Sequence, residues 1–183
     1  MFIYIPGELI ALITFPGIIL HEIAHRFFCD FFHVPVYSIR YFIPFSTTAG
    51  CVVHEPTNNI FKFFFIGCGP LIINSLVCMV LTFPFGLICA LETNFIVSKS
   101  IIVHLGYIFI TWIGLCAGLK AFPSNQDIAG LAILTESFWA KVCIYPFIAL
   151  IHIVNLNYIS FWIRFIYAYL LSLILPRLFL YFA

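Results

Sequence analysis

The residues of this chain best spaced for chemistry are His21, Glu22 and His25, in the run His21-Glu22-Ile23-Ala24-His25. Two histidines four positions apart leave one face of a helix and can grip a single zinc ion. Glu22 then lies beside the metal, where a carboxylate can take a proton from bound water. The run is embedded in a stretch apolar enough for a membrane. Hydrocarbon penalises ionisable groups, so three together point to a functional cluster that supports zinc-assisted hydrolysis.

Catalytic zinc usually takes three protein ligands and keeps a fourth position for water. The chain has two aspartates, Asp30 and Asp127. Asp30 is five residues past His25, about 140° further around the same helix, so it is expected to face water at the helix end. Asp127 closes Ala121-Phe122-Pro123-Ser124-Asn125-Gln126-Asp127, a segment with turn chemistry, and is the expected third ligand. The competing reading makes it a helix N-cap for the segment 128–140. Cys29 and His33, four and eight residues after His25, are substitute donors on roughly the same face. His54 reads as a loop residue, and His104 and His152 as residues packed within later spans.

These donors must be positioned by a membrane protein. Of 183 residues, 64% are hydrophobic and 8% charged, against about 25% charged in a soluble domain. Mean hydropathy is +1.16. Net charge is +1, which gives no sign of a nucleic-acid partner. The seven cysteines, Cys29, Cys51, Cys68, Cys78, Cys89, Cys116 and Cys143, form no CxxC pair and read as reduced, small apolar residues. No cleavable signal peptide is expected, because the N-terminus lacks a basic region and the first apolar stretch carries the metal motif.

A spanning helix needs about 20 mainly apolar residues. Candidate spans run over 3–32, 63–91, 101–119 and 161–182, with 142–153 as part of another that begins before Trp139, about five in all. Pro16-Gly17 is expected to break or bend the first just before the motif. Glu8 fits a first helical turn at a membrane surface. Pro84 is a kink site in the second span, and Asn155-Leu156-Asn157 reads as the turn between the last two. Between the first two spans, Val36, Ile39, Tyr41 and Ile43 are strand formers. Ser46-Thr47-Thr48-Ala49-Gly50 reads as a turn, and Cys51-Val52-Val53 as a returning strand. The fold class expected is therefore an all-α polytopic membrane protein with a short β-hairpin between the first two spans. The whole of 1–183 reads as one transmembrane domain, with a core of about 5–135 and C-terminal spans over about 136–183. By alternation, Arg26, Arg40, Lys62, Lys120 and Lys141 lie on one side and Lys99 on the other. The positive-inside rule makes the first side, which holds both the metal motif and the 120–130 segment, cytoplasmic.

Three blocks carry a family resemblance. They are Pro16-Gly17-Ile18-Ile19-Leu20-His21-Glu22-Ile23-Ala24-His25, then Gly69-Pro70-Leu71-Ile72-Ile73-Asn74, then Phe122-Pro123-Ser124-Asn125-Gln126-Asp127. Their types and order resemble the HExxH, GPxxN and NxxPxxxDG blocks of the site-2 protease family of intramembrane zinc metalloproteases, the M50 peptidases. The chain looks like a minimal, divergent branch: Ile128 stands where the family has Gly after the aspartate. The resemblance covers about residues 5–135. It implies Zn2+ held by His21, His25 and Asp127, with Glu22 as general base. It also implies that Asn74 positions the substrate or polarises its carbonyl, although an Asn in an apolar helix serves helix–helix packing equally well. The partners implied are the lipid bilayer and a transmembrane protein substrate; nothing in the sequence fixes an oligomeric state. The rival readings are a non-enzymatic protein that binds or transports a divalent metal, and an inactive scaffold that binds transmembrane partners.

Overall fold

The computed structural model describes residues 7–46, 49–91, 101–134, 138–156 and 160–182. It is mostly helical. Eight helices are described: α1 (Gly7–Ile13), α2 (Phe15–Phe31), α3 (Ile60–Leu81), α4 (Phe83–Ala90), α5 (Ile101–Leu119), α6 (Asn125–Leu134), α7 (Phe138–Val154) and α8 (Ser160–Phe182). Between α2 and α3 lies one antiparallel pair, β1 (Val36–Arg40) and β2 (Cys51–His54). The expected hairpin is thus present. Its register pairs Arg40 with Cys51 and Ile39 with Val52, and slips by one residue between Val36 and Ser38, leaving Tyr37 as a bulge. The turn expected at 46–50 falls partly outside the described residues.

Three helices, α3, α5 and α8, are long and apolar enough to cross a membrane, and the pair α1 and α2 makes a fourth if counted as one bent span. Among the described residues these are three or four spans, and the count of about five is not confirmed. α7 has 17 residues, at the short end of what a bilayer needs, and is not among the candidate spans of the described residues. The expected span 63–91 is divided at Thr82, with Pro84 in the first turn of α4, where a missing N–H costs nothing. The first span bends by 81° between α1 and α2. The break falls at Thr14 rather than at Pro16-Gly17, because Pro16 occupies the first turn of α2 and so starts that helix. Of the turn expected at Asn155-Leu156-Asn157, Asn157 lies outside the described residues.

α5 turns Ile102, Leu105, Ile108 and Phe109 outward, and α8 turns Trp162, Ile166 and Leu170 outward. Such apolar outer faces suit lipid. Where α3, α5 and α8 meet, the buried residues are Cys78, Ala117, Ala168 and Leu171. Small residues belong at such crossings, since lipid supplies no hydrophobic drive and close backbone approach must replace it. A second cluster, Cys29, Val34 and Ile66, joins the end of α2 to α3. A third, Ile128, Leu131 and Ile151, seats α6 against α7 and the start of α3. α2, α3 and the start of α6 are thereby brought to one place.

Candidate metal centre

His21, His25 and Asp127 converge: one donor atom from each lies within 4.8 Å of the others. The two Nε2 atoms are 3.1 Å apart. Each lies 3.5 Å from an Asp127 oxygen, His21 from Oδ2 and His25 from Oδ1. Donors about 2.0–2.1 Å from a tetrahedral zinc stand about 3.3–3.4 Å from one another, so the spacing suits such an ion.

The orientation of both imidazoles follows from helix rules. His25 Nδ1 donates to the Ile66 carbonyl at 2.8 Å. In a regular helix that carbonyl would accept from the N–H of residue 70, but Pro70 stands inside α3 and has none. His21 Nδ1 donates to the Lys120 carbonyl at 2.7 Å, which lies just past the end of α5, where carbonyls lack intrahelical partners. A carbonyl can only accept, so each Nδ1 carries a proton, and a ring that is neutral turns an Nε2 lone pair inward. Two such lone pairs and a carboxylate facing one point need a cation between them. Protons can play that part, and so can a metal ion; the donor set of two imidazoles and one carboxylate fits a divalent metal.

Asp127 comes from the first turn of α6. Its Oδ2 accepts from the Ser124 N–H at 2.6 Å, while its own N–H donates to Ser124 Oγ at 3.2 Å. This is a reciprocal capping box, with Ser124 as the cap and Asp127 three residues on. The capping and ligand readings of Asp127 are therefore compatible: the cap aims the carboxylate. Burial works to raise its pKa, but the hydrogen bonds and charges of His21 and His25 outweigh this and hold it well below the usual carboxylate range. α6 sits close to α3 because Gly67 has no side chain; a Cβ there would press on the Asp127 carbonyl.

Glu22 is buried, 6% exposed. Its carboxylate lies under Gly50, where a Cβ would come within 2.8 Å of Oε1, so only glycine lets the hairpin close over it. A cavity of about 670 Å³ holds Glu22, the three donors and the whole of β2 on its walls.

The substitute donors are elsewhere. Cys29 is fully buried in the apolar cluster behind the helix. His33 sits at the end of α2 with φ 57° and its Nδ1 on the Asp30 carbonyl. Asp30 itself pairs with Arg26 at 2.7 Å. His54 lines the cavity but bonds the Glu55 carbonyl, and His104 and His152 do not line it.

Asn74 is fully buried and off the cavity wall. Its Nδ2 donates to Gly17 O at 3.3 Å and Lys120 O at 3.1 Å, and its Oδ1 has no partner among the described residues. It therefore ties α2 to the carbonyl that orients His21, which is the helix-packing role. Partners behind a ligand tune its affinity. Asn74→Ala is expected to weaken metal binding about tenfold, at the low end for such partners, in competition against a chelating dye; an unchanged affinity would remove this role.

Two residues that the sequence reading passed over also line the cavity, Lys120 and Arg164. Arg164, in α8, donates to Ser160 Oγ at 3.0 Å, to the Leu119 carbonyl at 3.3 Å and to Asn155 Oδ1. Asn155 in turn holds Pro123 O and Asn125 Oδ1, so α8 braces the connection that carries Asp127. An arginine in an apolar run was the available signal, since a charge there is expensive and seldom idle. Burial and the Arg164 charge push Lys120 down to about 8, which leaves it mostly protonated at neutral pH.

No protein-family model matches the chain, and neither a curated protein nor a solved structure matches it.

Proposed function

We propose that this chain is an intramembrane zinc metallopeptidase of the site-2 protease type, cutting peptide bonds of membrane-embedded or membrane-proximal substrates from the cytoplasmic side. The observation that carries the reading is the convergence of His21, His25 and Asp127 in one cavity with the buried Glu22. The order of the three sequence blocks supports it, and so does the distribution of Lys and Arg.

When bound, zinc supplies a water with a pKa of about 7 and a positive charge beside the scissile carbonyl. His21, His25 and Asp127 hold the ion. Glu22 accepts the proton of the attacking water and returns it to the leaving amine. β2 pairs with β1 along one edge. Its other edge offers backbone N–H and C=O groups to an extended substrate segment. A substrate helix hides its backbone in its own hydrogen bonds, so it must unwind locally to use that edge. The cavity supplies the polar environment that water and a peptide bond both need within a membrane.

The test is metal analysis and peptide cleavage on the purified full chain in detergent. One zinc per chain is expected, together with cleavage that a zinc chelator stops and added zinc restores. Metal uptake into proteoliposomes without any cleavage would replace this reading with that of a transporter.

A further inference from the structure

Lys120 and Arg164 are cations that make no ion pair among the described residues, the Asp127 carboxylate acting on Arg164 only at longer range. Among the described residues the Lys120 ammonium has no hydrogen bond and no ion pair, although the residue is half-buried. Arg164 spends one bond from each of its three nitrogens on neutral acceptors. A guanidinium has five N–H donors, so two remain. Asp127 shares the cavity but ion-pairs only with the two histidines. Withdrawing charge from water is costly unless an opposite charge or a full set of hydrogen bonds replaces the lost hydration. Both residues line the same cavity as the three converging donors.

The two cations come from elements other than those that hold the strand edge. β2 packs on α2 and β1, whereas Lys120 follows the end of α5 and Arg164 belongs to α8. A chain laid along β2 and past His21 and His25 lies in the same cavity as this pair. We propose that Lys120 and Arg164 form an anion subsite that takes a carboxylate of the substrate peptide close to the bond that is cut. This rests on the proteolytic reading above. The carboxylate belongs either to an Asp or Glu side chain or to a free C-terminus. A peptide is favoured over a lipid phosphate because the pair shares one cavity with the strand edge and Glu22, rather than standing on an outer face.

The test reads affinity instead of cleavage. The full chain carrying Glu22→Gln is placed in phosphatidylcholine nanodiscs and loaded with zinc. The probes are short apolar peptides with an amidated C-terminus, an uncharged dye and either Asp or Asn at the centre. The Asp peptide is expected to bind about tenfold more tightly, the scale of one charge-assisted hydrogen bond. Lys120→Met should erase that ratio with zinc content unchanged, since it keeps the stem and the backbone carbonyl that holds His21. Arg164→Lys should keep the ratio and Arg164→Gln lose it; if the latter fails to fold because the brace to Asn155 is gone, Lys120→Met still decides. A third peptide, with neither Asp nor Glu but a free C-terminal carboxylate, tells the two sources apart, and preference for it over the Asp peptide names the chain terminus. Equal binding of all three peptides overturns the proposal. So does a Lys120→Met effect that appears only when phosphatidylglycerol is added, which would assign the pair to lipid phosphate. Wild-type protein that cuts no peptide but keeps the tenfold ratio would end the proteolytic reading and leave the subsite standing. A protease indifferent to the Asp would do the reverse.

Discussion

Glu22→Gln should leave the metal in place and reduce peptide cleavage by at least about a thousandfold, within the range that general acid–base groups contribute. The substitution is nearly isosteric, so the side chain still fits beneath Gly50 and none of the three converging donors is touched. What is lost is the ability to accept a proton from water and hand it to the leaving amine. The check is paired: zinc content of the purified variant and its rate on a peptide that the parent cuts. Wild-type turnover by the variant would remove Glu22 from the mechanism. In cells, a phenotype that survives this variant but not deletion would point to a scaffold that binds transmembrane partners.

Asp127→Asn should do the opposite, sparing the fold and weakening zinc binding by about a hundredfold or more, beyond the usual cost of losing a partner behind a ligand. The amide oxygen of Asn can still accept from the Ser124 N–H, so the start of α6 stays capped. The anionic ligand is gone, and no neighbour replaces it. Cys29 lies in an apolar cluster, His33 bonds the Asp30 carbonyl, and Asp30 pairs with Arg26. Competition with a chelating dye reads the affinity, and circular dichroism reads the fold. Unchanged affinity would mean that another donor completes the site. Asp127→Ala should add a further loss of about 1 kcal/mol in stability, because it also removes the cap.

Local spacing was legible in the sequence, and so were types of residue tied to local rules. The i, i+4 histidines share a helical face, and they share a site in the fold. Of the strand formers, Val36 and Ile39 lie in β1, which pairs with the expected return strand at Cys51, Val52 and Val53, while Tyr41 and Ile43 fall past its end. Asp127 was singled out because aspartates are scarce in this chain and because its segment is turn-rich; its actual approach to His25 depends on the fit of α6 against Gly67, which no local pattern states. The division of the apolar run at Thr82 and the bend at Thr14 were harder to place, since proline in a sequence marks either a helix start or a break. At Pro16 and Pro84 it marks a start. The orienting carbonyl of Ile66 was readable in principle: a proline four residues later inside a helix always leaves one carbonyl unclaimed. Which side chain claims it is a matter of tertiary packing. Arg164 was visible only as an anomaly, a charge in an apolar run, because its partners lie far away in the chain.

The two carbonyls that orient the imidazoles come from α3 and from the end of α5, while the donors themselves come from α2 and α6. An ion seated among them would act as a rivet through four elements drawn from residues 15 to 134 of the chain. Unfolding any one of them must release it, so by linkage the ion adds about 2.7 kcal/mol of stability once its free concentration reaches a hundred times its dissociation constant. In a solvent that gives little reward for bringing helices together, such an ion would be a fastening that depends on metal supply, and the abundance of the folded protein is then expected to follow that supply.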